Sequence, residues 1–253
     1  MAYLLCVVPC YNEAARLPRR EFLAFDGGAH RVEFLMVNDG SRDNTLEVLN
    51  EMQTAGGGSI RVLNQAVNGG KAEAVRCGIM AALELRPDYV AYWDADLATP
   101  LWEIPRFIEV LEEKPQVELV MGSRVKLLGR KVERKLTRHL LGRVFATVVS
   151  MSLRLAVYDT QCGAKMFRVN DFTQRLFEQP FLSRWVFDVE IIARMLAHFQ
   201  QASLSPADAM YELPLRQWVD VDGSKVRSTD FLTAALDVLR IRRRYGGFTP
   251  RRD

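Results

Sequence analysis

The stretch Tyr89-Val90-Ala91-Tyr92-Trp93-Asp94-Ala95-Asp96-Leu97-Ala98-Thr99-Pro100 joins a short apolar run to two carboxylates one residue apart. The run is of strand length and reads as a buried strand. Asp94 and Asp96 then stand at its carboxyl end. Carboxylates this close repel unless a cation sits between or beside them. Hard oxygen ligands of this kind suit Mg2+ or Mn2+, ions that commonly bridge diphosphate oxygens. A solvated turn carries the same Asp-x-Asp pattern; the position after a strand favours the metal reading.

Further strand candidates lie at Tyr3–Val8, Val32–Val37, Ser59–Leu63 and Glu118–Met121, with helical patterns at Asp43–Gln53, Lys71–Leu85 and Glu103–Glu112. Strands alternating with helices predict βαβ units and a mainly parallel sheet with helices on both faces. Ligands of such α/β sheets sit at the carboxyl ends of the strands. Polar clusters follow three of these strands directly. Pro9-Cys10-Tyr11-Asn12-Glu13 ends the first, with proline read as the stop. Asn38-Asp39-Gly40-Ser41 ends the second; Asp39 there can accept hydrogen bonds from a nucleobase, while the rest also reads as a capped turn. Asn68-Gly69-Gly70-Lys71 opens a helix, where small residues and an electropositive N-terminus admit a phosphate. The GxxxxGK[ST] spacing of a P-loop is absent.

The 253 residues suffice for one sizeable core, read as a single domain over 1–253 with a nucleotide half at 1–122 and an acceptor half at 123–253. A net charge of +3 does not argue for nucleic acid. Cys6, Cys10, Cys77 and Cys162 form no zinc or CxxC pattern and read as reduced cytosolic thiols. No leader and no run of about 20 apolar residues is seen, so no span is expected.

The second half predicts helices near Arg134–Leu155, Val186–Phe199 and Thr229–Tyr245, a strand at Met210–Leu215 and a loop at Trp218–Lys225. Between Gly122 and Arg154 there are nine Lys/Arg and one acid, Glu133. Leu136, Leu140, Leu141, Val144, Phe145, Val148 and Val149 give a helical stripe with a basic shoulder. That pattern fits either a core helix or one lying on an anionic membrane surface. Asp188 and Glu190 sit in apolar surroundings, where a carboxylate must pair, cap a helix or do chemistry. Gly223 and Lys225 fit a loop closing over an anion.

The ordered set Pro9-x-Tyr11-Asn12-Glu13, Asn38-Asp39-Gly40-Ser41-x-Asp43, Asn68-x-Gly70-Lys71 and Asp94-x-Asp96 resembles the family 2 inverting glycosyltransferases, which have the Rossmann-like GT-A fold. Gly122-Ser123-Arg124, Arg134-x-x-x-Arg138, Asp159-Thr160-Gln161-Cys162-Gly163, Trp185-x-Phe187-Asp188-x-Glu190 and Gly223-Ser224-Lys225 are similar to the dolichyl-phosphate and polyprenyl-phosphate β-glucosyltransferase branch. The resemblance implies that Pro9, Tyr11, Glu13 and Asp39 hold base and ribose. It implies that Lys71 and Asp94 lie by the phosphates, and that Asp96 binds the metal. Arg124, Arg134 and Arg138 would receive a lipid phosphate, and Ser224 and Lys225 would cover the donor. The implied reaction moves a hexose, glucose by the resemblance, from a UDP-sugar to a polyprenyl monophosphate with inversion. Relatives in this branch carry membrane anchors or spans. Here peripheral attachment at the cytoplasmic face is expected instead, through the basic helix and Arg240, Arg242, Arg243, Arg244, Arg251 and Arg252. Rival readings are a GDP-mannose donor, a sugar-hydroxyl acceptor with Asp188 as general base, a nucleotidyltransferase, and a non-catalytic nucleotide-sugar-binding module.

Overall fold

The computed structural model describes residues 1–133, 136–201, 205–220 and 228–246. In chain order the elements of the first half are β1 (Tyr3–Cys10), α1 (Arg19–Leu23), β2 (Arg31–Asp39), α2 (Thr45–Ala55), β3 (Ile60–Gln65), α3 (Lys71–Leu83), β4 (Tyr89–Trp93), α4 (Ile104–Glu113) and β5 (Leu119–Ser123). There follow β6 (Lys131–Glu133), α5 (Leu136–Leu153), β7 (Ala164–Arg168), α6 (Asp171–Glu178), α7 (Phe187–Gln201), α8 (Pro206–Ala209), β8 (Met210–Pro214), β9 (Gln217–Val219) and α9 (Ser228–Tyr245).

Seven strands form one sheet in the order β3-β2-β1-β4-β7-β5-β8. All neighbours are parallel except those of β7, which runs against both β4 and β5. Period-two alternation sends successive side chains to opposite faces. Leu4, Cys6, Val8, Met36 and Trp93 pack with α2 and α4 residues such as Leu49 and Phe107 on one face. Leu5, Val7, Val37, Val90 and Tyr92 pack with Val75, Ile79, Ile191, Ile192 and Ile241 of α3, α7 and α9 on the other. Burying each such aliphatic or aromatic side chain stabilises the fold by about 1.5–3 kcal/mol.

Two expectations change. Pro9 does not stop β1, which runs on to Cys10. Pairing with β4 ends at Val7↔Tyr92, so Pro9 and Cys10 pair only with β2, and the missing proline N–H leaves no central ladder position empty. The loop expected from Trp218 begins as β9, which pairs in parallel with β6. The strand expected at Met210–Leu215 is β8, which with β7 completes the main sheet.

In α5, Ala146 and Val149 are buried and Phe145 is half-buried, but Val148 and Met151 are exposed, so the apolar stripe divides between core and surface. Among the described residues no helix is long and apolar enough to cross a membrane.

The short helical turn before α4 carries Glu103, a fully buried carboxylate. It accepts from the backbone N–H groups of Arg216 (2.5 Å) and Gln217 (3.2 Å) and pairs with Arg106. Glu103 therefore ties α4 to the start of β9. Replacing it by Ala takes the carboxylate partner from Arg106, which keeps only the Pro214 oxygen, and leaves two amides unpaired, and the expected loss in denaturant unfolding is about 3 kcal/mol. An unchanged midpoint would contradict this role.

Candidate active site

The chain crosses from β1 to β2 and β3 on one side and then returns to place β4 on the other. That reversal opens a crevice at the carboxyl ends of β1 and β4, where α/β sheets bind ligands. An open cleft of about 900 Å3 lies there. Pro9, Tyr11, Glu13, Asp39, Lys71, Asp94, Asp96, Arg124 and Asp188 all line it. The parallel register explains this gathering, because Cys10 lies opposite Asn38, and Tyr92 opposite Val7.

The loops after β1 and β2 are stitched together. Asn12, in the left-handed region at φ 52°, accepts from the Arg42 N–H (2.8 Å) and donates its own N–H to Ser41 Oγ (3.1 Å). Thr45 Oγ1 accepts from the Glu13 N–H at 2.8 Å. The Glu13 side chain is held by Arg16, whose Nη2 donates to Oε1 at 2.5 Å. Arg16 itself lines the cleft.

Asp39 is buried and is spent largely on the next turn. Its Oδ1 accepts from the Gly69 N–H (2.7 Å), and its Oδ2 accepts from the Gly70 N–H (2.9 Å) and Asn68 Nδ2 (2.8 Å). Burial pushes its pKa up, and the two amides act against that rise. A carboxylate oxygen has two acceptor sites, so Oδ1 retains one for a ligand. The carbonyls of the same turn are used too. Arg184 donates from Nε to the Gly69 oxygen (3.0 Å) and from Nη2 to the Asn68 oxygen (3.1 Å). Gly70, at φ 88°, makes the bend that starts α3, a conformation L side chains rarely adopt.

Lys71, the first residue of α3, pairs with Asp94 at 2.5 Å. Burial pulls its pKa down, but Asp94, Asp188 and Asp96 outweigh that and raise it. Asp94 is also seated against the turn before β7. Its N–H donates to the Gly163 oxygen (2.9 Å), and a Cβ at Gly163 would fall 1.8 Å from Asp94 Oδ2. Asp96 accepts from the Ala98 N–H at 3.0 Å. Burial first, and Asp94 second, push its pKa above the usual carboxylate value.

Among the described residues no three His, Cys, Asp or Glu side chains cluster to hold a metal by themselves. Asp96 nevertheless fits one oxygen ligand of a magnesium or manganese ion. Its charge is unfavourable as it stands, and such ions take their other positions from phosphate oxygens and water.

Arg124 is already engaged. Its Nε and Nη2 bind Asp159 at 2.6 and 2.7 Å, and its plane lies 5.2 Å from the Trp218 ring. Burial lowers its pKa, yet Asp159 reverses this and holds it above the ordinary value. Asp188 does not cap α7, because it lies within the first turn. The amides of Trp185 and Val186 are taken instead by Ser183 Oγ, at 3.2 and 3.0 Å. Arg134, Ser224 and Lys225 lie outside the described residues, as does the side chain of Arg138. Arg16, Arg184 and Arg240 also line the cleft and belong to no local motif; Arg16 and Arg240 pair with Glu13 and Asp237 three residues away, and only Arg184 reaches it through partners distant in the chain.

Residues 5–176, more than half of the chain, match Glycosyl transferase family 2. The chain is 31% identical over 257 residues to the dolichyl-phosphate beta-glucosyltransferase of Dictyostelium discoideum, covering 96% of this chain and 75% of the relative. It is 31% identical over 261 residues to the Homo sapiens enzyme of the same name, with the same coverage. Glucosyl-3-phosphoglycerate synthase from Mycobacterium tuberculosis, solved with Mn2+, UDP and phosphoglyceric acid, matches the fold with a TM-score of 0.65 at 20% identity, over 99% of this chain and 80% of that one. The chain belongs to glycosyl transferase family 2, and it is a glycosyltransferase.

Gly163→Ala is expected to push the Asp94 carboxylate out of its seat while leaving far-UV circular dichroism unchanged. A displacement near 1 Å costs about 100-fold in turnover. Full activity in this variant would show that Asp94 does not depend on that contact.

Proposed function

We propose that this family 2 enzyme transfers glucose from UDP-glucose to a dolichyl or other polyprenyl monophosphate, with inversion at the anomeric carbon. The observation that carries the reading is near full-length similarity to dolichyl-phosphate beta-glucosyltransferases, together with the acidic pair at the carboxyl end of β4.

Pro9, Tyr11, Glu13 and Asp39 receive the uridine, with one acceptor site on Asp39 Oδ1 facing the base. Lys71 sits at the electropositive end of α3 and takes the diphosphate. Asp96, with Asp94 beside it, holds the divalent cation. A Mg2+ or Mn2+ bound there supplies neutralising charge for the departing diphosphate.

The attacking atom is a phosphate oxygen of the acceptor, which is anionic near neutral pH and needs no general base. It forms the new bond at the anomeric carbon as the bond to the diphosphate oxygen breaks, and the electron pair leaves with UDP. Arg134 and Arg138 on the basic segment, and the remaining nitrogen of Arg124, hold the acceptor phosphate in line. Ser224 and Lys225 close over the donor. The basic α5 region and the arginines of α9 rest against an anionic membrane surface, where each basic residue contributes about 1 kcal/mol. The acceptor half, residues 123–253, works with the nucleotide half as one domain at the cytoplasmic face of that membrane.

Two measurements test this. UDP release is followed with manganese, UDP-glucose and a polyprenyl phosphate, beside GDP-mannose. Lipid-dependent release from UDP-glucose is expected. Release only from GDP-mannose, or only with a soluble sugar acceptor, would overturn the donor or acceptor assignment respectively. Asp96→Asn, or removal of divalent cations by chelation, is expected to abolish turnover, and an active Asp96→Asn enzyme would remove the metal assignment.

A further inference from the structure

The sheet contains a fully buried lysine that the scheme above leaves without a role. Lys165 is the second residue of β7, opposite Tyr92 of β4 on one side and Met121 of β5 on the other. Its side chain is 0% exposed. An ammonium there is costly unless every donor is used. Its Nζ meets that condition with three acceptors: the Thr160 oxygen at 3.0 Å, the Cys162 oxygen at 2.8 Å and Asp188 Oδ1 at 2.6 Å. Tyr92, also fully buried, donates its hydroxyl to the same Asp188 oxygen.

Two consequences reach the cleft. Both donors fall on Asp188 Oδ1, so among the described residues Oδ2 makes no hydrogen bond, while Asp188 lines the cleft. The two carbonyls that Lys165 grips belong to the turn ending at Gly163, and that glycine seats Asp94 through its oxygen and its missing Cβ. One buried cation thus fixes a carboxylate directly and a second through a turn. Both carboxylates act electrostatically on the Lys71 ammonium, which pairs directly with Asp94.

We propose that Lys165 is a positioning residue, which sets Asp94 and presents Asp188 Oδ2 to the hydroxyl groups of the donor hexose. A carboxylate oxygen held in this way accepts a sugar hydroxyl and orients the ring for in-line attack. It serves as a hexose anchor and not as a base. The inference rests on the transfer from UDP-glucose proposed above.

The test uses the full-length enzyme with Mn2+, UDP-glucose and a polyprenyl phosphate, and separately measures the binding of UDP, which carries no hexose. Lys165→Met is expected to lower turnover about 100-fold, the scale of a 1 Å misplacement, with a much smaller loss of UDP affinity. Asp188→Asn is expected to raise the KM for UDP-glucose while leaving UDP binding unchanged. In the Lys165→Met/Asp188→Asn double variant both members of the buried pair are neutral, which spares the fold an unpaired charge. Its turnover is expected to match the poorer single variant within about threefold, because coupled residues are not additive. The double variant compared with Asp188→Asn decides the matter if Lys165→Met alone does not fold.

Activity of Lys165→Met near the parent value, or a double variant that loses the product of the two single effects, would overturn the inference. Parallel loss of UDP affinity and turnover would assign Lys165 a merely structural role, which also overturns it. A parent enzyme that does not turn over UDP-glucose would instead remove the reading on which the inference rests.

Discussion

Negative charge crowded at the end of a buried strand is the constraint around which this molecule is arranged. Asp39, Asp94, Asp96 and Asp188 all line one cleft. Each would be costly to keep in partial burial without a counter-charge or donor. The fold answers with a different partner for each. Asp39 takes the amides of the turn before α3, Asp94 takes Lys71, and Asp188 takes Lys165 and Tyr92. Among the described residues Asp96 has only the Ala98 amide at its side chain. Burial and the neighbouring Asp94 raise its pKa, so a bound cation would relieve it.

The same arrangement explains why α3 starts where it does. The turn Asn68–Gly70 offers its amides to Asp39 and its carbonyls to Arg184, so both sets of polar groups are satisfied before the helix begins. Lys71 is then delivered beside Asp94 on the neighbouring strand. Substrate would enter a site whose charges are already ordered, so little reorganisation is left for the moment of reaction. Glu13 with Arg16 and Arg124 with Asp159 extend this ordering to the rim.

Much of this was legible in the residues. The alternation of strands and helices gave β1 to β5, and polar clusters after β1, β2 and β4 marked the crevice. Other features depend on distant partners and left no local trace. Pro9 reads as a strand stop, yet it is tolerated because β4 no longer pairs beside it. Lys165 has no local sign of burial, and Asp188, 23 residues further on, makes its burial possible. Arg124 reads as a free anion-binding side chain, and only the fold brings Asp159 onto it. Arg184 meets Gly69 across 115 residues of sequence separation.

The most direct test of the central claim is a calorimetric titration of the protein with UDP, in the presence and absence of Mn2+. If Asp96 is held short of a cation that a diphosphate helps to bind, the ion should strengthen UDP binding by about tenfold or more, or about 1.4 kcal/mol. Equal affinity with and without Mn2+ would contradict the account, because the crowded carboxylates would then be balanced by the protein alone.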